Sequence, residues 1–199
     1  MAIEELKQLL KLDHKKQIVF AYLTCERLYP NFLYFHNNYK FGNPHILREA
    51  IEFIYNSIIT ADTDNKKIHQ LLKDIDTNTP YPGDFNTTFA SAALNACGVI
   101  YETLNLLSNA KDSGKLIKDI STMATDTIDL YIQEHDNLDY NTDEDFEDKI
   151  FHNPLMQSEL RIQKGIIVYL SKIHRVDATD IETLKELQFN NNKGNLMIG

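Results

Sequence analysis

The apolar residues of this chain recur every three to four positions over most of its length, the period of helices packed by one face. The densest stretch is IVFAYLTCERLYPN, Ile18 to Asn31, apolar on nearly all sides and interrupted by Glu26, Arg27 and Pro30. Val19, Tyr22 and Leu23 lead by threes and fours to Glu26, and Phe20 and Leu23 lead to Arg27, so both charges continue apolar stripes. A charge on such a stripe is at least partly buried, and a buried charge is costly unless it is paired and hydrogen-bonded. The rest of the fold must therefore supply partners for both.

Taken in order, residues 2–10 predict a short amphipathic helix, and Asp13 caps a second that Pro30 is expected to end. A separate short aromatic helix is expected from Asn31, closed at Gly42. Asn43-Pro44 is a start signal, an N-cap followed by an N1 proline, for a helix over 44–60. A mixed-charge helix over 64–76 precedes TNTPYPGD, the strongest breaker in the chain. Asp84 is then read as the cap of a long central helix over 85–108, rich in small residues. After a loop at 111–114, a further helix runs to about His135, and the acidic connection 136–148 leads into a short helix near 143–150. Asn153-Pro154 repeats the start signal for a helix over 155–174, in which Glu159 interrupts an apolar line. A last helix, capped by Asp177, uses Ile181, Leu184 and Leu187, and the tail 190–199 is polar and flexible up to Leu196. No hairpin signal and no internal repeat appears. The expectation is one all-α domain over 1–199, a bundle of about seven to nine helices, with the central helix touching those at 14–29 and 155–174.

Composition narrows the function more than the fold. With 43% hydrophobic and 25% charged residues the chain has ample core. Twenty Lys and Arg against 29 Asp and Glu give a net charge of −9, which repels nucleic acid and anionic membranes. Neither is an expected partner. The N-terminal stretch has acids at positions 4 and 5, the wrong order for a secretory signal, and the 17-residue uncharged run Phe85–Tyr101 carries too many polar residues for a bilayer span. A cytoplasmic protein is expected. Cys25 and Cys97 lie in apolar patterns, far apart and in no CxxC arrangement, and read as core residues.

No phosphate loop, GxGxxG, GxSxG or HExxH is present, and no glutamate is followed three residues on by the histidine a di-iron bundle needs. His45 and Glu49 have ligand spacing but sit in an exposed first turn, where a solvated pair is the plainer reading. Asp139, Asn141, Asp143 and Asp145 alternate like a calcium loop. Glu144 stands where that loop needs glycine, and Ile150 where it needs glutamate. No metal and no cofactor is expected. What remains is the set of charges in core stripes, Glu26, Arg27, Arg48, Glu102 and Glu159, for which arginine–carboxylate pairs between helices are the natural resolution. Glu26 is expected to pair with Arg48 or Arg161. As structure such a network fixes helix register, whereas as function it would line an anion or metal pocket.

The segments FAYLTCERLYPN (20–31), FGNPHILREAIEFIYNSI (41–58), LNACGVIYETL (94–104) and NPLMQSELRIQK (153–164) resemble the YjaG-like bacterial family, a domain-of-unknown-function group of all-helical cytoplasmic proteins. The matching polar positions are Glu26, Arg27, Pro30, Asn31, Gly42, Arg48, Glu102, Glu159 and Gln163, while Asn95 stands where the family pattern has aspartate. The resemblance implies a fold and no activity. Two functional classes follow. The first is a non-enzymatic interaction or regulatory module, whose partner is another protein or a second copy of the chain, and it predicts an exposed apolar or aromatic patch. The second is an enzyme or ligand-binding protein, which predicts a concave pocket lined by at least three of the five stripe charges.

Overall fold

The computed structural model describes residues 3–109, 111–188 and 193–198. Among them are nine α-helices and no β-strand: α1 (Ile3–Lys11), α2 (His14–Tyr39), α3 (Pro44–Thr60), α4 (Asn65–Asn78), α5 (Phe89–Ser108), α6 (Ser113–His135), α7 (Phe146–His152), α8 (Pro154–Lys172) and α9 (Ala178–Gln188). No helix is long and apolar enough to cross a membrane among the described residues.

The hub is the antiparallel-style packing of α2 on α5, the most extensive helix contact in the molecule. Ala90, Ala93 and Ala96 of α5 are small enough to let the two helices approach closely, and they share one core with the fully buried Phe20, Leu23 and Leu28 of α2. α3 and α4 cover one side of this pair and α6 the other. α8 lies outside α6 and α1 and touches α2, so α6 occupies the flank of α5 that was expected for the helix at 155–174. A second, smaller core lies where α6, α7 and the start of α8 meet, built on Ile128, Ile132, Phe146, Ile150 and Met156 and closed by Leu196.

Local signals set most boundaries. Asn43 and Asn153 each accept the amide two residues on, at 3.1 Å from His45 and 2.9 Å from Leu155, with proline at N1. Asp177 and Asp180 exchange backbone amides reciprocally, at 3.0 and 3.1 Å, in a capping box that starts α9.

Three expectations are corrected. Pro30 does not end a helix: α2 continues through it to Tyr39, and the expected separate helix from Asn31 is its second half. Pro30 has no N–H to donate and costs about 3 kcal/mol inside a helix. Continuing the helix buries Phe32 and Phe35 completely, at about 1.5–3 kcal/mol each, which offsets it. The central helix starts at Phe89, because Asp84 closes a 3-10 turn (Pro82–Asp84) instead. Its first turn is capped from outside: the Glu134 carboxylate of α6 accepts the Thr88 amide at 3.1 Å, placing an anion at the positive end of α5. In α9, Leu187 is 72% exposed, and the stripe runs Ile181, Leu184, Gln188. Of the tail, residues 190–192 and 199 lie outside the described residues. Leu196 is buried, and Asn195 donates its backbone amide to the Arg27 carbonyl at 3.3 Å and its side-chain amide to the Ala124 carbonyl at 3.0 Å.

Candidate functional site

The stripe charges separate into two groups on different faces of α2. Adjacent residues of a helix point about 100° apart, so Glu26 and Arg27 serve different neighbours. Arg27 faces α8 and α9, and Glu26 faces α3.

Arg27 is 3% exposed and Glu159 1% exposed. The guanidinium Nε donates to Glu159 Oε2 at 2.9 Å and Nη2 to Oε1 at 2.8 Å, the bidentate fork that fits a carboxylate best. Nη1 donates to Gln188 Oε1 at 2.8 Å, and the Gln188 amide in turn reaches the Leu23 carbonyl at 3.1 Å. On the carboxylate side, Gln163 Nε2 donates to Glu159 Oε1 at 2.8 Å and to the Ser121 carbonyl at 3.2 Å. The Ser121 hydroxyl donates to Gln163 Oε1 at 2.7 Å. The network thus ties α2, α6, α8 and α9 together, and both charges are closed to solvent. Its chemistry is exhausted by its own hydrogen bonds, which is the arrangement that makes a buried ion pair tolerable.

Glu26 is 7% exposed; its Oε2 accepts Arg48 Nη1 at 2.8 Å and its Oε1 accepts the Tyr22 hydroxyl at 2.9 Å. Arg48 is therefore its partner, and Arg161 instead turns its Nε to the Gln157 carbonyl on the surface. Burial, followed by the Glu26 charge and hydrogen bond, pushes the Tyr22 phenol well above its ordinary value and keeps it a donor. The Arg48 guanidinium stacks 4.2 Å over the Tyr29 ring. One side of it opens on a cleft of about 540 Å³ between α2, α3 and α9, where Lys185, Glu182 and Glu186 form the far rim. This cleft gathers only two of the five stripe charges, Glu26 and Arg48, short of the three expected of a ligand pocket.

Because a third of the Arg48 side chain stays in water, removing its partner is less damaging than for a sealed pair. Glu26→Ala is expected to lower stability by about 1–2 kcal/mol, mostly through the orphaned Tyr22 hydroxyl. Glu26→Gln, which retains an acceptor for that hydroxyl, should recover much of the loss in urea unfolding. Equal losses for both variants would contradict this assignment.

Glu102 does not join either group: it is half-buried and, among the described residues, accepts only the Asn105 side-chain amide, at 3.1 Å. Asn95 donates to the Thr127 hydroxyl at 3.0 Å, and since that hydroxyl gives its own proton to the Met123 carbonyl, an ionised aspartate at 95 would have no donor for the same bond. Glu49 pairs with Lys67, and Asp143 is held by Lys149 and the Asp139 amide. No group of three or more His, Cys, Asp or Glu is placed to hold a metal among the described residues. Both cysteines are buried, and burial pushes each thiol up to about 12. Three members of the networks escaped the sequence reading. Tyr22 lies one helical turn before Glu26, a legible spacing, and Gln188 continues the α9 stripe seven residues after Ile181. Ser121 carries no signal of its own.

The fold is shared with a solved structure, and the sequence is similar to those of several bacterial proteins. A DUF416 family protein from Shewanella baltica OS155 superposes with a TM-score of 0.86, at 24% identity over 98% of this chain and 97% of that one. The uncharacterised protein YjaG of Escherichia coli (strain K12) is 24% identical over 181 residues, 89% of this chain and 86% of its own length. A Haemophilus influenzae protein is 24% identical over 180 residues, 90% of this chain and 88% of its own. The model of the family described as "Protein of unknown function (DUF416)" matches residues 4–199, and the chain belongs to that family.

Proposed function

We propose that the chain is a non-enzymatic interaction or regulatory module of the cytoplasm that works by binding another polypeptide. The observation that carries this reading is the sealing of Arg27 and Glu159, which leaves the most unusual charges of the sequence bound to each other instead of facing a substrate. Reactive groups that serve catalysis face a cleft and stay available to a ligand. The exposure of Phe151, 52%, beside an apolar-floored groove that Met156 and Leu160 also line supports the same reading.

The competing reading, an enzyme or ligand-binding protein, draws on the cleft beside Glu26 and Arg48. Native mass spectrometry of the protein isolated from its own cell separates the two. A second polypeptide, or a second copy of the chain, retained at defined stoichiometry is expected. A metal or small metabolite retained instead, and lost on Arg48→Ala, would overturn the interaction reading.

A further inference from the structure

A groove of about 510 Å³ runs between α6, α7 and α8, over the smaller core. Its floor is apolar: Met156 is buried, Leu160 half-buried, and Phe151 stands 52% exposed at its edge. One wall is acidic. Asp126 and Asp129 lie one turn apart on α6, and Glu147 faces them from α7. The connection 136–148 that delivers α7 to this wall carries seven acids and no Lys or Arg.

These carboxylates are not neutralised from within. Among the described residues Asp126 and Glu147 accept no hydrogen bond and make no ion pair, and Asp129 accepts only the Gln133 side-chain amide, at 2.8 Å. Partial burial first, and the Asp129 charge second, hold the Asp126 carboxyl above the usual carboxylate range. The opposite wall carries Arg161 and Lys164; Lys164 is paired with Glu5 at 3.2 Å, and Arg161, whose Nε donates to the Gln157 carbonyl, keeps its charge, so three carboxylates share one uncompensated cation. Four acids therefore line the groove against two bases.

We propose, building on the interaction-module reading, that this groove docks a basic amphipathic helix of a partner polypeptide. Its apolar face covers Phe151, Met156 and Leu160, and its Lys or Arg side chains reach Asp126, Asp129 and Glu147. A groove between helices with an apolar floor is the shape that takes a helix laid along it. The charge of the wall selects a cationic one, because each new cation relieves both the desolvation and the mutual repulsion of carboxylates already in place. A second copy of this chain, itself at −9, brings the wrong sign.

The test titrates the full-length, isotope-labelled chain with an amidated Leu/Lys amphipathic peptide and, separately, with its Leu/Glu counterpart, following amide shifts. Binding of the Leu/Lys peptide is expected with shifts confined to the groove. Asp126→Asn/Asp129→Asn should weaken it at least ~10-fold and Phe151→Ala comparably, whereas the charge-matched remote pair Glu52→Gln/Asp62→Asn should change it less than ~2-fold. All these side chains are on the surface or groove rim, so unchanged thermal melts are expected and separate lost binding from lost fold. The proposal is overturned if the Leu/Lys peptide does not bind, if the remote pair matters as much as the groove pair, or if the Leu/Glu peptide binds equally well. Each of these results leaves the interaction reading standing on its own measurement, a polypeptide retained in the native mass spectrum, while a retained metabolite there fails that reading whatever the peptide does.

Discussion

Arg27→Ala is expected to destabilise the protein by about 3–5 kcal/mol, the cost of breaking a fully desolvated ion pair from one side. It strands the Glu159 carboxylate at 1% exposure with the Gln163 amide as its remaining donor among the described contacts, and removes the donor to Gln188 Oε1. For a domain of this size that is a fall in the melting midpoint of roughly 6–20 °C, at 2–4 °C per kcal/mol. Removing both charges together should be milder. Arg27→Met with Glu159→Leu keeps volume in the core and leaves no buried charge, so its loss should be well below that of Arg27→Ala alone. Thermal and urea unfolding of the two variants decide the matter. A midpoint for Arg27→Ala within a degree or two of wild type would remove the structural role assigned to the pair.

Gly42→Ala should cost about 3 kcal/mol for a different reason. Helix α2 ends with Lys40 in the left-handed region, and two residues later Gly42 takes φ +72° to turn the chain into α3. A side chain there pays the left-handed penalty of about 1–2 kcal/mol. The turn is also packed: a Cβ would lie 2.8 Å from Cζ of the fully buried Phe32 and 3.0 Å from Asn78 Oδ1. That Asn78 oxygen accepts the Asn43 amide, and its Nδ2 donates to the Asn43 carbonyl at 3.1 Å, so displacing it also loosens the cap of α3. Gly165→Ala is the control. In mid-α8, where a Cβ meets nothing within 4 Å, it should raise stability by up to ~1 kcal/mol. Matching losses at the two positions in calorimetry would mean that the turn is not strained by side chains as described.

The contrast between what the sequence disclosed and what it concealed follows the range of the interactions. Asn43-Pro44, Asn153-Pro154 and Asp177 announce helix starts because the capping side chain and the amide it accepts are two or three residues apart. Pro30, the start of α5 and the face of α9 were misread because each is decided from far away. Phe32 and Phe35 draw α2 through its proline, Glu134 caps α5 across 46 residues, and Arg27 pulls Gln188 rather than Leu187 inward across 161. The same holds for the site. That Glu26, Arg27 and Glu159 face the core is legible from helical spacing, but which cation meets which anion depends on how the helices lie against one another, so Arg48 and Arg161 stayed equal candidates for Glu26. Glu102 shows the limit of the stripe argument: it borders an apolar line and still ends half in water.

The separation between Arg27 and its partners has a consequence for the chain as it is made. Arg48 follows Glu26 by 22 residues, whereas Glu159 and Gln188 follow Arg27 by 132 and 161. At ~5–20 residues per second the ribosome delivers the last two roughly 7–30 s after Arg27. Throughout that interval Arg27 has neither the carboxylate of α8 nor the amide of α9 that later enclose it. Its guanidinium is then a hydrated charge beside a run of hydrophobes, the gatekeeper arrangement that opposes association of nascent chains. One side chain thus serves in turn as a solubilising group and as an internal clasp. A core in which methionine and leucine replace Arg27 and Glu159 is expected to gain nothing in the cell from its milder equilibrium cost, because the same substitution removes the charge that guards α2 while it waits.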